Sequence, residues 1–238
     1  MKNPLLLFVA IFSLSLYSCS FGFAGIEPEG EYVSRTVNAS QFENVSVSSG
    51  MELILTQDSV TTVRVETYEN IHKYINKEVV NNTLRFTIDF TANLKNPKVK
   101  VYVNTPKIGR ISGSGGTRLN LSSGWSANAL EVHISGGSSV YGKIEVKELS
   151  LSMSGGARSD LEGDLEKLIV EASGGSSCRN YNLATKTANL SLSGGSSAHI
   201  SVSDFLTAQA SGGSSVRYKG NPEVKTNLSG GSSVKTLL

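Results

Sequence analysis

Five side chains able to carry charge or exchange a proton, Asp160, Arg179, His199, Arg217 and Lys235, follow one another at intervals of 18 to 20 residues. Asn120 and Tyr141 extend the same series toward the N-terminus. A fold that set these residues side by side would end in a row of basic or protonatable groups, suited to a polyanion or an acidic glycan. The plainer alternative is a solvated face on which Asp160 and Arg179 form a weak surface pair. Carboxylates also gather in "SDLEGDLE", at Asp160, Glu162, Asp164 and Glu166. Two acids at the correct separation could serve a glycosidase, and several oxygens could hold a hard cation, although a run of this kind more often solvates a corner. His72, His133 and His199 lack metal-ligand spacing. No GxSxG elbow or phosphate loop occurs. The many serines have no evident His/Asp partner and read as structural. No catalytic residue, metal site or cofactor is expected.

The interval itself must come from the elements that carry these residues. Ser-Gly-Gly begins at Ser114, Ser135, Ser154, Ser173, Ser193, Ser211 and Ser229, and five of the seven copies read SGGSS. Before each later copy, apolar and polar residues alternate: Leu130, Val132, Ile134; Leu149, Leu151, Met153; Leu168, Val170, Ala172; Ala188, Leu190, Leu192; Leu206, Ala208, Ala210; Val224, Thr226, Leu228. Five residues after the Ser stands a second inward column of Leu119, Val140, Ser159, Cys178, Ala198, Val216 and Val234. Strict alternation marks half-buried strands, and glycine at a fixed place marks a sharp corner. One repeat cannot bury its apolar face, but stacked repeats can. The pattern therefore predicts an all-β parallel β-helix with SGG-cornered coils of 18 to 21 residues, each with two strand segments. A flexible Gly/Ser linker would carry no such alternation. The series from Asn120 to Lys235 lies six residues after each Ser, on the outside of the coils. Cys178 lies in the inward column and reads as a small buried apolar group rather than a nucleophile.

The N-terminus reads as a targeting segment. Lys2, the apolar run Leu5 to Leu16, and "LYSCS" make a secretory signal too short to span a bilayer. Leu16-Tyr17-Ser18-Cys19 resembles a bacterial lipobox, so residues 1–18 read as a lipoprotein signal peptide and Cys19 as the lipidation site. Residues 19–30 then form the lipidated N-terminus and tether. Removal of residues 1–18 leaves 21 basic and 20 acidic residues, a balance that gives no argument for nucleic acid. With Cys19 acylated, Cys178 has no disulfide partner.

Residues 31–108 continue in strands without the glycine ladder, and 20 of the 24 glycines lie at or after Gly109. "FENVSVSSGMELILTQ" (Phe42 to Gln57) reads as an irregular early coil, with Ser49-Gly50 where later coils have SGG. Thr61–Thr67 and Leu84–Phe90 read as strands, Asn81-Asn82 as a turn, and Asn70–Ile75 as one helical turn. "KVKVYVNTPKIGRISGSGG" runs into the first repeat without a break, so residues 31–238 are expected to form a single β-helix domain, with irregular coils over 31–108 and SGG repeats over 109–238. The tripeptide Asp58-Ser59-Val60 resembles an O-glycosylation signal of Bacteroidetes envelopes, with Ser59 as acceptor.

Together, "FENVSVSSGMELILTQ", "NIHKYINKEVVNNTLRFTI", "VKVYVNTPKIGRISGSGG" and the recurrent SGG coils resemble the putative auto-transporter adhesin, head GIN domain family, many of them lipoproteins of Bacteroidetes-type bacteria. The resemblance covers nearly all of residues 40–238. It implies a single-stranded right-handed β-helix, brings no catalytic residues, and carries an adhesin label. No membrane barrel of the kind an autotransporter needs is expected from these residues.

The resulting expectation is a non-catalytic cell-envelope lipoprotein, a β-helical scaffold that binds a ligand or partner by its lateral faces. The alternatives are a polysaccharide-active β-helix lyase or hydrolase, or a structural or assembly element. The candidate ligand stripe is Asn120, Tyr141, Asp160, Arg179, His199, Arg217 and Lys235. Expected partners are the membrane through the lipid, a glycan or an envelope protein, and a further chain at an exposed strand edge near Val234, with no nucleic acid. Surface-exported lipoproteins of this group carry acidic residues after the lipidated Cys, whereas here Ser20, Phe21, Gly22 and Phe23 follow. The periplasmic face of the outer membrane is therefore the expected location.

Overall fold

The computed structural model describes residues 25–237. Cys19 and the signal segment lie outside the described residues, as does the first half of the segment 19–30. The first strands are β1 (Tyr32–Thr36), β2 (Asn44–Ser48), β3 (Glu52–Gln57) and β4 (Thr62–Tyr68). A 3-10 turn at His72–Tyr74 fulfils the expected helical turn and leads to β5 (Ile75–Val80), β6 (Thr83–Ile88), β7 (Lys100–Thr105) and β8 (Arg110–Ser114). Long strands then follow: β9 (Arg118–Ile134), β10 (Ser139–Met153), β11 (Arg158–Ala172), β12 (Ser177–Leu192) and β13 (Ser197–Ala210). The chain closes with β14 (Ser215–Lys219), β15 (Glu223–Leu228) and β16 (Ser233–Thr236).

From β9 to β13 each long strand pairs in parallel with the next, in phase with the repeat on either side of the SGG corner and with register shifts at the bends, so that Val140 lies beside Leu119 and Ser159, and Leu151 beside Val132 and Val170. This is a β-solenoid, with an SGG corner joining each long strand to the next. The inward columns are dry: Val132, Val170 and Leu190 are 0, 0 and 3% exposed. One cluster of buried apolar side chains extends from Val37 to Val216.

The coils have three straight runs rather than the two expected. In β10 the buried residues are Val140, Ile144, Val146, Leu149, Leu151 and Met153. Their two-residue period breaks between Val140 and Ile144 and again between Val146 and Leu149. Each break is a bend that inserts outward residues, and the first coincides with a register shift against β9 between Gly142 and Ile144. In β10 and β11 the first bend uses glycine, Gly142 and Gly163. Gly163 has φ of 126°, and a Cβ there would overlap the Ile144 carbonyl of the preceding coil. The "SDLEGDLE" run accordingly lies within continuous strand β11, bent at Gly163.

The irregular half is built on the same plan at lower regularity. β2 and β3 flank Ser49-Gly50, with φ of 61° and 76°, and stack on β8 and β9. Ser49 N–H donates to the Ser114 carbonyl at 3.1 Å, so the single Ser-Gly sits under the first SGG as expected. Away from the repeats the direction reverses. β4 pairs antiparallel with β1 and β7, and β5 with β6 through the left-handed pair Asn81-Asn82.

Candidate functional site

The SGG corner fixes everything beside it. The first glycine of each copy is left-handed, with φ from 60° to 69°, a conformation that side chains resist. The glycines also touch along the stack: a Cβ on Gly194 would lie 3.0 Å from the Gly174 carbonyl oxygen. That oxygen accepts the Gly195 N–H at 2.7 Å, and Gly213 N–H reaches the Gly194 carbonyl at the same distance. Three residues after the first Ser, a serine closes the corner, buried at Ser138, Ser176, Ser196 and Ser214 and half-buried at Ser232. Ser138, Ser176, Ser196, Ser214 and Ser232 donate to the carbonyls of Ser135, Ser173, Ser193, Ser211 and Ser229 at 2.6 to 2.9 Å. Repetition of one corner holds the flanking side chains in register.

On one flank the predicted stripe is assembled. Tyr141 stands beside Asn120 and Asp160, and Arg179, His199, Arg217 and Lys235 follow one another rung by rung. Rungs of a parallel ladder lie ~4.8 Å apart. Asp160 and Arg179 occupy neighbouring coils where the register slips after Ser159, and among the described residues no ion pair joins them.

The stripe divides into two electrostatic zones. Tyr141 donates its phenol to Glu52 Oε1 at 3.2 Å, and burial followed by the Glu52 charge raises its pKa. In the second zone, none of Arg179, Arg217 and Lys235 joins an ion pair among the described residues. His199 lies between Arg179 and Arg217 and stacks on Tyr181, with centroids 5.1 Å apart and planes at 16°. Lys219 Nζ sits 4.8 Å from the Tyr181 ring centre. Burial first, then the Arg217 and Arg179 charges, lower the pKa of His199. Like charges on adjacent rungs oppose folding, and an anionic ligand would offset that repulsion.

On the other flank runs an open groove of about 570 Å³ that crosses several coils, lined by hydroxyls including Ser112, Ser135, Ser152 and Ser193, with His133 and Glu171. Glu131 is engaged there by Arg110 at 2.6 Å and lies 3.7 Å from His133.

The four acids of the "SDLEGDLE" run do not converge. Asp160 belongs to the stripe, whereas Asp164 and Glu166 line a groove of about 650 Å³ at the third corner with Lys147 and Lys186. Among the described residues no group of three or more His, Cys, Asp or Glu is placed to hold a metal ion. Cys178 is fully buried, and desolvation pushes its thiol up to about 11. Ser59 is exposed between β3 and β4, its hydroxyl 3.3 Å from Asp58 Oδ1.

Sequence reasoning missed Glu52, Tyr181, Lys219 and the hydroxyl groove. Tyr181 and Lys219 lie eight residues after their Ser, on the same outward face as the stripe, so reading one outward position further would have found them. Glu52 precedes the glycine ladder and had no repeat number to be counted from.

A profile of the family described as putative auto-transporter adhesin, head GIN domain, matches residues 41–222. Among solved structures, a putative adhesin from Bacteroides fragilis superposes with a TM-score of 0.83 at 22% identity, over 90% of this chain and 100% of that one. A putative adhesin from Parabacteroides merdae gives 0.72 at 18% identity, over 90% and 99%. A putative lipid binding protein from Parabacteroides distasonis gives 0.69 at 16%, over 90% and 99%. No curated protein matches. At these identities the neighbours establish the fold. With most of its length matched by the profile and its SGG coils stacked as that resemblance implied, the chain belongs to the putative auto-transporter adhesin, head GIN domain family.

Proposed function

We propose that this protein is a non-catalytic binding scaffold of the cell envelope, anchored by lipid at Cys19, whose face from Arg179 to Lys235 takes up an anionic polymer such as an acidic glycan. The observation that carries the reading is the run of rungs Arg179, His199, Arg217 and Lys235, cationic or protonatable and without an ion pair among the described residues. An extended polyanion could meet successive cations at the spacing of the coils, each contact adding to the next. Tyr181 and Lys219 border the same zone. The adhesin description of the family agrees with a binding role at the envelope or surface. Ser20, Phe21, Gly22 and Phe23, immediately after Cys19, include no acid, which favours the periplasmic face of the outer membrane.

The test is a panel of acidic and neutral polysaccharides, read both for binding and for released product. Saturable binding to acidic polymers, weakened by added salt and abolished in Arg179→Glu/Arg217→Glu, is the expected result. Product release by the wild-type protein, or binding that survives charge reversal, would refute it.

A further inference from the structure

The inward columns that are dry along the stack emerge at its C-terminal end. β15 pairs with β13 on one side, and among the described residues no strand pairs with its other edge. All six of its residues are exposed. Val224 and Leu228 are 37 and 42% exposed, whereas Leu206 and Ala210, their neighbours one coil below, are 0 and 4%. Phe205 beside them is 54% exposed. Solenoids ordinarily close such an end with a polar cap, and open apolar edges invite pairing. We propose that this edge pairs with a second copy of the chain, β15 to β15, about a two-fold axis at Thr226.

Strand direction and parity select this arrangement. A head-to-tail stack would have to join β15 to the opposite end, whose edge strands β1 and β5 run antiparallel to their neighbours and carry Arg35, Lys77 and Glu78. A two-fold contact needs only the same edge twice, and it closes. Residues directly opposite in an antiparallel pair share a face, so the two-fold must pass through a residue. Centred on Lys225, it would set Lys225 against its own copy. Centred on Asn227, it would pair only three residues within the strand. Centred on Thr226, it sets Val224 against Leu228 and Lys225 against Asn227 of the other copy. The apolar column then continues from one solenoid into the next, and no like charges meet.

Sedimentation equilibrium of the purified protein tests the contact, and substitutions at Asn227 test its register. The dimer should be present in the wild type and be about tenfold weaker in Asn227→Lys, which places like charges opposite one another twice. Asn227→Glu should be at least as tight as wild type. Asn227 is exposed at the end of the stack, so both variants keep the core. Mild oxidation of Thr226→Cys should join two copies, with the link between the introduced thiols located by peptide mass. A monomer at all concentrations, equal effects of the two Asn227 variants, or no link at position 226 would overturn the proposal.

Discussion

Alanine at Gly194 should damage the stack, and alanine at the adjacent Gly195 should not. Gly194 has φ of 69°, and holding an L-residue there costs about 1–2 kcal/mol. Its Cβ would meet the Gly174 carbonyl oxygen at 3.0 Å and the Gly174 nitrogen at 3.2 Å. Relief of that contact moves the oxygen that accepts the Gly195 N–H at 2.7 Å, at a further loss of about 1 kcal/mol. The expected total is about 2–3 kcal/mol. Gly195 is not left-handed, and its Cβ would lie 3.6 Å from the same oxygen, an ordinary contact. Alanine there restricts the unfolded chain and should be neutral or add about 0.4–1 kcal/mol. Urea unfolding followed by circular dichroism, on the two variants beside the wild type, measures the difference. Equal destabilisation by both would refute the claim that at this corner the first glycine alone is left-handed.

Three further outcomes follow from the corner and the stripe. Ser196→Ala removes bonds to the Ser193 carbonyl at 2.9 Å and the Ala172 carbonyl at 3.2 Å and should cost about 1–2 kcal/mol in the same assay; the cost is bounded because Ala157 already fills the equivalent place two repeats earlier. Cys178, neutral when folded with its pKa pushed to about 11 from 9.0, should react with a thiol reagent only after unfolding. The unfolded thiol ionises first, so this contribution to stability is complete below pH 9 and declines by about 2–3 kcal/mol toward pH 11; Cys178→Ala should remove that decline. His199 has a lowered pKa and gains its charge only as the pH falls below the ordinary His range. A bound polyanion favours the protonated form, so binding of dextran sulfate should tighten as the pH falls below about 6.5, and His199→Gln should flatten that dependence.

The solenoid was legible because its repeat is written in backbone chemistry. Glycine at a left-handed corner and alternation on either side are local properties, and stacking them needs no further information. Ser159 fell into place by its number in the repeat, although serine does not look like a core residue by type. The extra bends were not legible. Gly142 and Gly163 stand seven and nine residues after their Ser, and in β12 and β13 that region contains no glycine at all, so no recurring residue marks the position. At the site, the stripe followed from counting, but its electrostatic division did not. Glu52 reaches Tyr141 from 89 positions away in the chain, a contact set by the pairing of β3 with β9. The final triplet, Val224, Thr226 and Leu228, shows the limit of the pattern: alternation specifies which side faces the axis, and a neighbouring coil must supply the burial.

The ladder reading is tested most directly by measuring affinity for oligogalacturonides of increasing length, by calorimetry at low salt. Four rungs from Arg179 to Lys235 span three coil intervals, roughly 14 Å at ~4.8 Å each. Affinity should rise with length until the oligomer covers that span and level off beyond it, and Arg179→Glu/Arg217→Glu should abolish the rise. An affinity independent of length, or one that climbs equally in the charge-reversed variant, would contradict a binding face set by stacked coils.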